Sequence, residues 1–232
     1  MAATENPLEI IQMLDVSCLR PEADEQKIRQ TCTEALEYGC AAVFVMPYWL
    51  PLSASLLKGS TVKAGAPLGF PFGSHTTYIK VCEARDAIAS GAEELDMMMN
   101  VGALKSRDYK LVKRDIQAVV EASEGRIVKV ILETCLLADE EKQTACQIVE
   151  SAGADFVKTS TGFSTCGATV ADVRLLRASV SERVRVKAAG GIDSFEQARE
   201  LVQAGAVRLG TSKTLKIVQG ARAAADVAQV VR

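Results

Sequence analysis

Four glycine junctions of one kind divide this chain and constrain what it can fold into. They read Tyr38-Gly-Cys-Ala, Ser90-Gly-Ala-Glu, Ala152-Gly-Ala-Asp and Ala204-Gly-Ala-Val. Each follows a segment of helical periodicity and precedes a short apolar run. Glycine readily takes the left-handed conformation that ends a helix, and the small residue after it lets the next strand pack closely. The junctions therefore predict a chain that alternates helix and strand.

Eight strands and eight helices fit this alternation. The predicted strands are Ile11–Val16, Ala41–Met46, Thr61–Gly69, Glu94–Met99, Ile127–Glu133, Asp155–Ser160, Arg185–Ala189 and Val207–Gly210. The predicted helices are Ala23–Tyr38, Leu50–Leu57, Thr77–Ser90, Tyr109–Ser123, Glu140–Ala152, Val170–Val180, Ser194–Ala204 and Thr214–Val231, with Asp139 and Ser194 as helix N-caps. Near-continuous Val, Ile and Met in the strands indicate a parallel sheet covered on its outside. We therefore expect the α/β class and a (β/α)8 TIM barrel, with residues 1–232 as a single domain.

Charge and hydropathy exclude several classes of protein. The net charge is −2, and acidic and basic residues are interspersed, which argues against a nucleic-acid partner or an anionic membrane surface. No segment approaches the roughly 18 apolar residues of a membrane span, and the N-terminus lacks the basic and apolar regions of a secretory signal. We expect a cytoplasmic protein with no nucleic-acid or membrane partner.

The histidine and cysteine content excludes several kinds of site. His75 is the single histidine, so a zinc site built on several histidines is excluded, and a Ser-His-Asp triad would have to use it. His75 lies in a loop expected to cap the next helix. Seven cysteines form no Cys-x-x-Cys pair, which favours reduced thiols in a cytosolic enzyme.

Four of the apolar strands carry a charged residue. A functional role explains these charges better than a contribution to the stability of the fold. Phe156 and Lys158 share one strand face, Lys187 ends the strand before a Gly-Gly pair, and Asp96 and Lys129 lie inside two further strands. A buried unpaired charge costs several kcal/mol, so a shared polar site is the simpler explanation. Neighbouring lysines lower the pKa of one of them, and a neutral amine can form a Schiff base with a carbonyl. The alternative for Lys158 alone is a strand-end lysine that reaches solvent.

Glycine-rich turns predict a phosphate site beside these lysines. In a TIM barrel the site lies at the carboxyl ends of the strands, and phosphate often binds the loops after strands seven and eight. Those loops contain Gly190, Gly191, Gly210, Thr211 and Ser212. Gly162, which follows strand six, could complete the site. The free amides at the start of the last helix can bind an anion. Lys213 either adds a charge to this site or is a solvated helix residue.

Five motifs in this order resemble deoxyribose-phosphate aldolase, a Schiff-base (class I) aldolase. They are Gly69-Phe-Pro-Phe-Gly73, Glu94-Leu-Asp-Met97, Lys129-Val-Ile-Leu-Glu-Thr-Cys135, Phe156-Val-Lys-Thr-Ser-Thr-Gly-Phe-Ser-Thr165 and Val186-Lys-Ala-Ala-Gly-Gly-Ile192. The resemblance implies reversible cleavage of 2-deoxy-D-ribose 5-phosphate to glyceraldehyde 3-phosphate and acetaldehyde, in nucleoside sugar catabolism. The implied partners are a small phosphorylated sugar and a short aldehyde, and the implied association state is a monomer or a homodimer. The resemblance also implies that the reaction needs no metal and no cofactor.

The resemblance also implies a role for each buried charge. Lys158 would form the Schiff base, and Lys187 would keep it neutral and relay protons. Asp96 would be the general acid/base, acting through a water, and Lys129 would keep Asp96 ionised. Asp15 and Ser17 would reach the substrate hydroxyls.

Three residues depart from the pattern of the family. Val16 stands where the family has histidine, and Phe44 and Met46 replace the usual cysteine and asparagine. A bulkier and less polar wall could shift the aldehyde preference, so a Schiff-base aldolase for another aldehyde or phosphorylated sugar stays open. The second alternative is a sugar-phosphate-binding barrel without catalysis. Some members of the family end in a tyrosine-bearing tail that assists proton transfer, but no tyrosine follows Tyr109 here, so that role is absent or filled by another group.

Overall fold

The computed structural model describes residues 6–230 and contains eight parallel strands that close into a barrel. Each strand pairs with the next, and β1 pairs with β8 in the register Asp15 to Gly210. The strands are β1 Leu14–Cys18, β2 Ala42–Val45, β3 Lys63–Leu68, β4 Glu94–Met98, β5 Ile127–Ile131, β6 Phe156–Lys158, β7 Arg185–Ala189 and β8 Arg208–Thr211. The predicted (β/α)8 barrel is confirmed. The extent of the single domain stays a prediction.

Helices surround the barrel. In chain order they are α1 Glu25–Tyr38, α2 Leu50–Leu57, α3 Thr77–Ala89, α4 Val101–Lys105, α5 Tyr109–Ala122, α6 Asp139–Ser151, α7 Val170–Ala178, α8 Phe195–Gln203 and α9 Thr214–Val230. Short 3-10 helices cover Pro7–Met13, Pro47–Trp49 and Thr134–Leu136. Within residues 6–230, the helices include none with the length and apolar content needed to cross a membrane.

The four glycine junctions have the predicted conformation. Gly39, Gly91, Gly153 and Gly205 have φ angles of 66°, 101°, 91° and 116°. Gly39 is the left-handed C-cap of α1, and its N–H bonds back to the carbonyls of Ala35 and Leu36. A β-carbon is disfavoured at such angles, so these glycines end the helices where the strands must begin.

Alternation along each strand separates an apolar outer layer from a polar interior. The outward side chains, such as Val16, Val128, Val157 and Val186, belong to one apolar cluster shared with the helices. The inward side chains between them include the charged residues of β1, β4, β5, β6, β7 and β8. The hydrophobic core therefore lies outside the barrel wall, and the inside is left for polar chemistry.

Two predictions of local structure are wrong, and one short helix has no predicted counterpart. The first strand was predicted at Ile11–Val16, but Pro7–Met13 is a 3-10 helix capped by Asn6, and the strand begins at Leu14. Asp139 lies in the first turn of α6 and not at its N-cap, because Ala138 takes that position and its N–H donates to Glu141. Helix α4 was not predicted, since five residues are too short to show periodicity.

Two capping predictions are confirmed, that of Ser194 and that of the loop containing His75. The hydroxyl of Ser194 accepts a hydrogen bond from the N–H of Gln197, which confirms Ser194 as the N-cap of α8. His75 is exposed in the loop before α3, and the N-cap of that helix is its neighbour Thr76.

Candidate active site

Two lysines on adjacent strands share one carboxylate oxygen. Lys158 on β6 and Lys187 on β7 are register partners. Each ammonium nitrogen lies 2.7 Å from Oδ2 of Asp96, which extends inward from β4. The prediction that the two strands place these lysines side by side is confirmed. Asp96 is 62 positions from Lys158 and 91 positions from Lys187 in sequence, so the fold of the barrel brings the three residues together.

Four further charged residues of the barrel interior, Lys129, Glu94, Arg208 and Asp15, form ion pairs with this group or with one another. Lys129 lies 3.1 Å from Oδ1 of Asp96 and 2.5 Å from Oε2 of Glu94. Arg208 pairs with Asp15 through its Nε at 2.8 Å and with Glu94 at 2.9 Å. Asp15 also lies 2.5 Å from the ammonium nitrogen of Lys187. The predicted contact of Lys129 with Asp96 is confirmed.

The cluster contains more basic than acidic groups. Among the residues that the structure describes, Lys129, Lys158, Lys187 and Arg208 surround three carboxylates, those of Asp15, Glu94 and Asp96. Full ionisation leaves one uncompensated positive charge in a buried space. Because such a charge is costly, the loss of one proton from a lysine is favoured.

The carboxylates remain ionised in spite of their burial. Burial alone would raise the pKa of Asp96, but Lys129, Lys158 and Lys187 outweigh it and hold that pKa well below its usual range. Asp15 is also fully buried, and Lys187, Lys129 and Arg208 lower its pKa to about 2. The same pairing raises the pKa of Lys129 against its own desolvation, since three carboxylates surround it.

Lys187 titrates near neutral pH. Burial lowers the pKa of its ammonium to about 8, and the charges of Lys158 and Lys129 act in the same direction, while Asp15 and Asp96 oppose them. Of the two paired lysines, Lys187 is the one whose pKa is lowered. The role of Lys158 as the neutral amine stays a prediction. The largest cause is desolvation, with the neighbouring like charge as a smaller contribution.

An aromatic ring covers the two deeper lysines. The centroid of Phe44 on β2 lies 4.1 Å from the nitrogen of Lys187 and 4.4 Å from that of Lys129. Its register partner on β3 is Gly65, where a β-carbon would lie 2.5 Å from the ring. The missing side chain at Gly65 therefore makes room for Phe44, and the ring excludes water and favours the ammonium forms.

Lys158 is the most accessible of the three lysines. Its exposed fraction is 5%, against 1% for Lys187 and 0% for Lys129. The carboxyl ends of β4, β5 and β6 open onto a cavity of about 130 Å³, lined by Met98, Glu133, Thr161 and Phe163 among others. Of the three lysines, Lys158 therefore has the largest contact with solvent.

A strained glutamate orders the loop after β6. Glu133 has a φ angle of 54°, and its buried carboxylate accepts hydrogen bonds from the N–H and the hydroxyl of Thr161. Thr161 in turn accepts the N–H of Phe163 at 3.0 Å. Residues held in sparsely populated backbone conformations concentrate at functional sites. The two residues fix the start of the β6–α7 loop, residues 159–169, beside Lys158.

The glycine turns predicted to hold phosphate meet at the same end of the barrel. A β-carbon on Gly190 would lie 3.5 Å from the Cα of Gly162, and both glycines have positive φ angles, as does Gly191. Gly210 packs against Ala189 at the ends of β7 and β8. The close approach leaves backbone amides without side chains in front of them.

The polar residues of the last turn divide into two groups. Ser212 and Lys213 are exposed at the start of α9. The buried hydroxyl of Thr211 donates to the carbonyl of Ile192 at 2.8 Å and accepts the N–H of Lys213. Thr211 therefore ties the two turns together through its side chain.

Strand β1 differs from the prediction. Asp15 is fully buried beneath Lys187 and paired with Arg208, so it does not fit the predicted contact with substrate hydroxyls. Ser17 is half-buried, and its hydroxyl is 3.4 Å from the carbonyl of Asp15. Val16 faces the helices, so its substitution does not change the wall of the site. Phe44 faces the lysines, and Met46 caps the 3-10 helix after β2.

The sequence analysis missed Glu94 and Arg208 as members of the cluster. Both signals were present, because Glu94 is two residues before Asp96 and Arg208 is two residues before Gly210 on the predicted strands. Within residues 6–230, histidine, cysteine and acidic side chains form no group of three that could hold a metal ion.

Comparison with known proteins agrees with this geometry. Residues 10–221 match the model of the DeoC/LacD family of aldolases. Deoxyribose-phosphate aldolase of Streptococcus sanguinis is 52% identical over 94% of this chain and 100% of its own length. The enzyme of Thermococcus kodakarensis is 51% identical over 93% and 98%. The tetrameric deoxyribose phosphate aldolase of Aeropyrum pernix superimposes with a TM-score of 0.89 at 31% identity, over 96% of this chain and 94% of that one. The chain therefore belongs to the DeoC/LacD family of aldolases.

Proposed function

We propose that this aldolase cleaves 2-deoxy-D-ribose 5-phosphate to glyceraldehyde 3-phosphate and acetaldehyde through a Schiff base on Lys158. The observation that carries the proposal is the contact of the Lys158 and Lys187 ammonium groups, at 2.7 Å each, with the same oxygen of Asp96. Asp15 also pairs with Lys187, but the three carboxylates of the cluster face four cationic groups, so one positive charge is left uncompensated. The pair therefore releases a proton easily, and a neutral amine becomes available for attack on the aldehyde.

Lys187 is the proton carrier in this scheme. Its pKa of about 8 lies close to the neutral pH of a working enzyme, and a group with such a pKa is an efficient general acid and base. It contacts the same Asp96 oxygen as Lys158, so a proton passes between the lysines over a short path. Lys187 takes up the proton that Lys158 releases, and returns it when the carbinolamine loses water.

Asp96 bridges the lysines. The family resemblance implies that Asp96 is the general acid/base, but the strongly lowered pKa of its carboxyl disfavours a lasting protonated form. We propose that it remains a carboxylate for most of the cycle, holding both amines in position and accepting a proton only in passing. Lys129, 3.1 Å away on the other oxygen, maintains that charge.

The bond cleavage follows from the imine. The protonated imine withdraws the electron pair of the bond between C2 and C3 as the C3 hydroxyl loses its proton. Glyceraldehyde 3-phosphate leaves, and the remaining enamine is protonated at carbon and hydrolysed, which releases acetaldehyde and restores the Lys158 amine. Each proton transfer occurs within reach of the shared carboxylate.

The glycine turns are proposed to bind the phosphate. Gly162, Gly190, Gly191 and Gly210 offer backbone amides, and Ser212 stands at the start of α9, where the helix dipole favours an anion. The exposed Lys213 supplies a point charge at the same turn. Aldehyde and phosphate would then lie at opposite ends of one short substrate.

Borohydride trapping tests the proposal. The enzyme is incubated with deoxyribose 5-phosphate, reduced and mapped by peptide mass spectrometry, with Lys158→Ala and Lys142→Met as the variants. We expect a reduced adduct on Lys158 that disappears in Lys158→Ala. It should persist in Lys142→Met, which removes a lysine paired with Asp139 and Asp172 away from the cluster.

Other outcomes would favour the alternatives. Cleavage of another phosphorylated sugar, with an adduct on Lys158 only there, would indicate a different substrate. Binding without any adduct would indicate a sugar-phosphate-binding barrel. We also propose a cytoplasmic location, which the seven free thiols support, and a monomeric or homodimeric state, which light scattering tests.

A further inference from the structure

Cys135 differs from the other cysteines in its surroundings. It lies in the 3-10 helix Thr134–Leu136 directly after β5, half-buried at the mouth of the barrel. Its thiol donates to the hydroxyl of Ser164 at 3.4 Å, and the Thr165 hydroxyl and the Cys166 N–H lie within reach of the sulfur. Once the thiol loses its proton, all three groups can donate to the sulfur, which favours the thiolate, the reactive form.

Most of the other thiols are held in the unreactive form. Burial raises the pKa of Cys18 and Cys32, and it raises the pKa of Cys40 and Cys146 to about 12. At Cys135 burial also acts to raise the pKa, but the hydrogen bonds from Ser164, Cys166 and Thr165 outweigh it and lower the pKa. Oxidation should therefore be selective for Cys135.

A second thiol lies beside the first. Cys166 is exposed on the β6–α7 loop, and its own backbone N–H reaches the sulfur of Cys135. Residues 162–168 contain no helix or strand, so the backbone there is not held by a ladder of hydrogen bonds. The exposed side chain of Cys166 can rotate toward Cys135, which is the arrangement of a reactive and a resolving cysteine.

We propose that Cys135 is a peroxide-reactive thiol that Cys166 resolves into a disulfide. The Cys135 thiolate attacks hydrogen peroxide, the O–O bond breaks, and the sulfur becomes a sulfenic acid as hydroxide leaves. The Cys166 thiol then attacks that sulfur, and the sulfenic oxygen leaves as water. In total two thiols lose two protons and two electrons to one peroxide, which is reduced to two waters.

The disulfide would act on substrate binding through the next residue. Gly167 packs so closely on the neighbouring turn that a β-carbon there would lie 2.1 Å from the carbonyl oxygen of Gly190. The N–H of Ala168 donates to the same oxygen at 3.0 Å. Drawing Cys166 toward Cys135 therefore pulls on the turn assigned to the phosphate, so this consequence rests on the proposed function. We expect a several-fold rise in KM for deoxyribose 5-phosphate with a smaller change in kcat.

The test combines peptide mapping with kinetics on the full chain. Hydrogen peroxide should yield a Cys135–Cys166 crosslinked peptide and raise KM, and dithiothreitol should reverse both. Cys166→Ser should give a sulfenic acid on Cys135 that a dimedone probe traps, without a crosslink. Cys82→Ser is the matched control, since Cys82 is also half-buried, and it should crosslink like the wild type.

Three results would overturn the inference. They are oxidation of Cys82 or Cys18 before Cys135, conversion of Cys135 to a sulfinic acid with Cys166 left free, and a crosslink that leaves KM unchanged. The mapping needs no substrate. Failure of untreated enzyme to cleave deoxyribose 5-phosphate would therefore refute the proposed function and leave the thiol chemistry testable.

Discussion

Replacing Phe44 by leucine should shift the pH dependence of the reaction to lower pH. The ring lies 4.1 Å from the nitrogen of Lys187 and stabilises its ammonium form. Leucine keeps an apolar side chain at this position but removes the electron-rich face. A cation–π contact in a desolvated site contributes about 2 kcal/mol, and each pKa unit corresponds to about 1.4 kcal/mol. The pKa of Lys187, about 8 in the native enzyme, should therefore fall by about one unit.

The sign of the effect on activity follows from the neutral amine that the mechanism needs. Neutral Lys187 accepts the proton that Lys158 releases, so activity increases as pH rises through the pKa of Lys187, and a lower pKa moves the acidic limb of the kcat/KM profile to lower pH. Release of acetaldehyde can be followed by alcohol dehydrogenase and loss of NADH absorbance. Normalised to its alkaline plateau, Phe44→Leu should retain about fivefold to tenfold more activity than the wild type at one pH unit or more below the pKa.

Phe156→Leu provides the matched control. Phe156 is buried in the same barrel interior, but its ring contacts Arg185 at 4.1 Å and lies 5.8 Å from Lys129. Both variants lose ring volume from the interior, so both should lose stability in urea unfolding. The acidic limb should stay in place for Phe156→Leu. An unshifted limb in Phe44→Leu would refute the reasoning. An upward shift would do so as well, because it would mean that admitted water outweighs the ring.

Four further changes test separate parts of the molecule. Lys187→Met should lower kcat/KM for deoxyribose 5-phosphate by about 10²-fold or more while trapping on Lys158 remains measurable, and wild-type activity would contradict a proton-carrier role. Gly190→Ala, which adds a β-carbon at a φ of 86° and 3.1 Å from Gly167, should raise KM more than it lowers kcat in steady-state kinetics, and the reverse would place the phosphate elsewhere. Gly65→Ala should destabilise the fold by about 1 to 3 kcal/mol in urea through its clash with Phe44, and Phe44→Leu in the same chain should restore part of that loss, whereas additive effects would exclude the clash. The Asp15 carboxyl, with a folded pKa of about 2 against 3.8 unfolded, contributes about 2 kcal/mol of stability that is present above pH 3.8 and lost as the pH falls to about 2. Asp15→Asn should therefore show a shallower loss of urea stability over this range, and an unchanged slope would contradict the assignment.

Local patterns in the sequence predict the barrel and the pair of lysines, Lys158 and Lys187, in the site. Alternation along β6 puts Lys158 on the inner face, and the end of β7 puts Lys187 beside it once the strands are adjacent. The glycine junctions give the order of helices and strands. These features depend on neighbours within a few residues, so a single sequence contains them.

The positions of Asp15, Arg208 and Phe44 beneath the lysines depend on contacts between distant strands that no local sequence pattern encodes. Asp15 is predicted to contact the substrate, but the level of β1 in the barrel is set by its register with β8, and the substrate contact of Ser17 stays a prediction. That register buries Asp15 against Arg208 and Lys187. The ring of Phe44 likewise fits inside the barrel only because Gly65, its partner on β3, has no side chain. The burial that lowers the pKa of Lys187 depends on all of these elements together.

The pairing of Asp15 with Arg208 has a consequence for the time at which activity can first appear. The two residues are 193 positions apart, and they join the first strand to the last. During synthesis Asp15 and Glu94 leave the ribosome long before Arg208, which is their shared cation. Until β8 arrives, an incomplete barrel has two carboxylates facing inward without that cation, and desolvating them is unfavourable. A nascent chain should thus keep its interior open to water until synthesis is almost complete, and the lysines should acquire their reactivity only when β8 is in place.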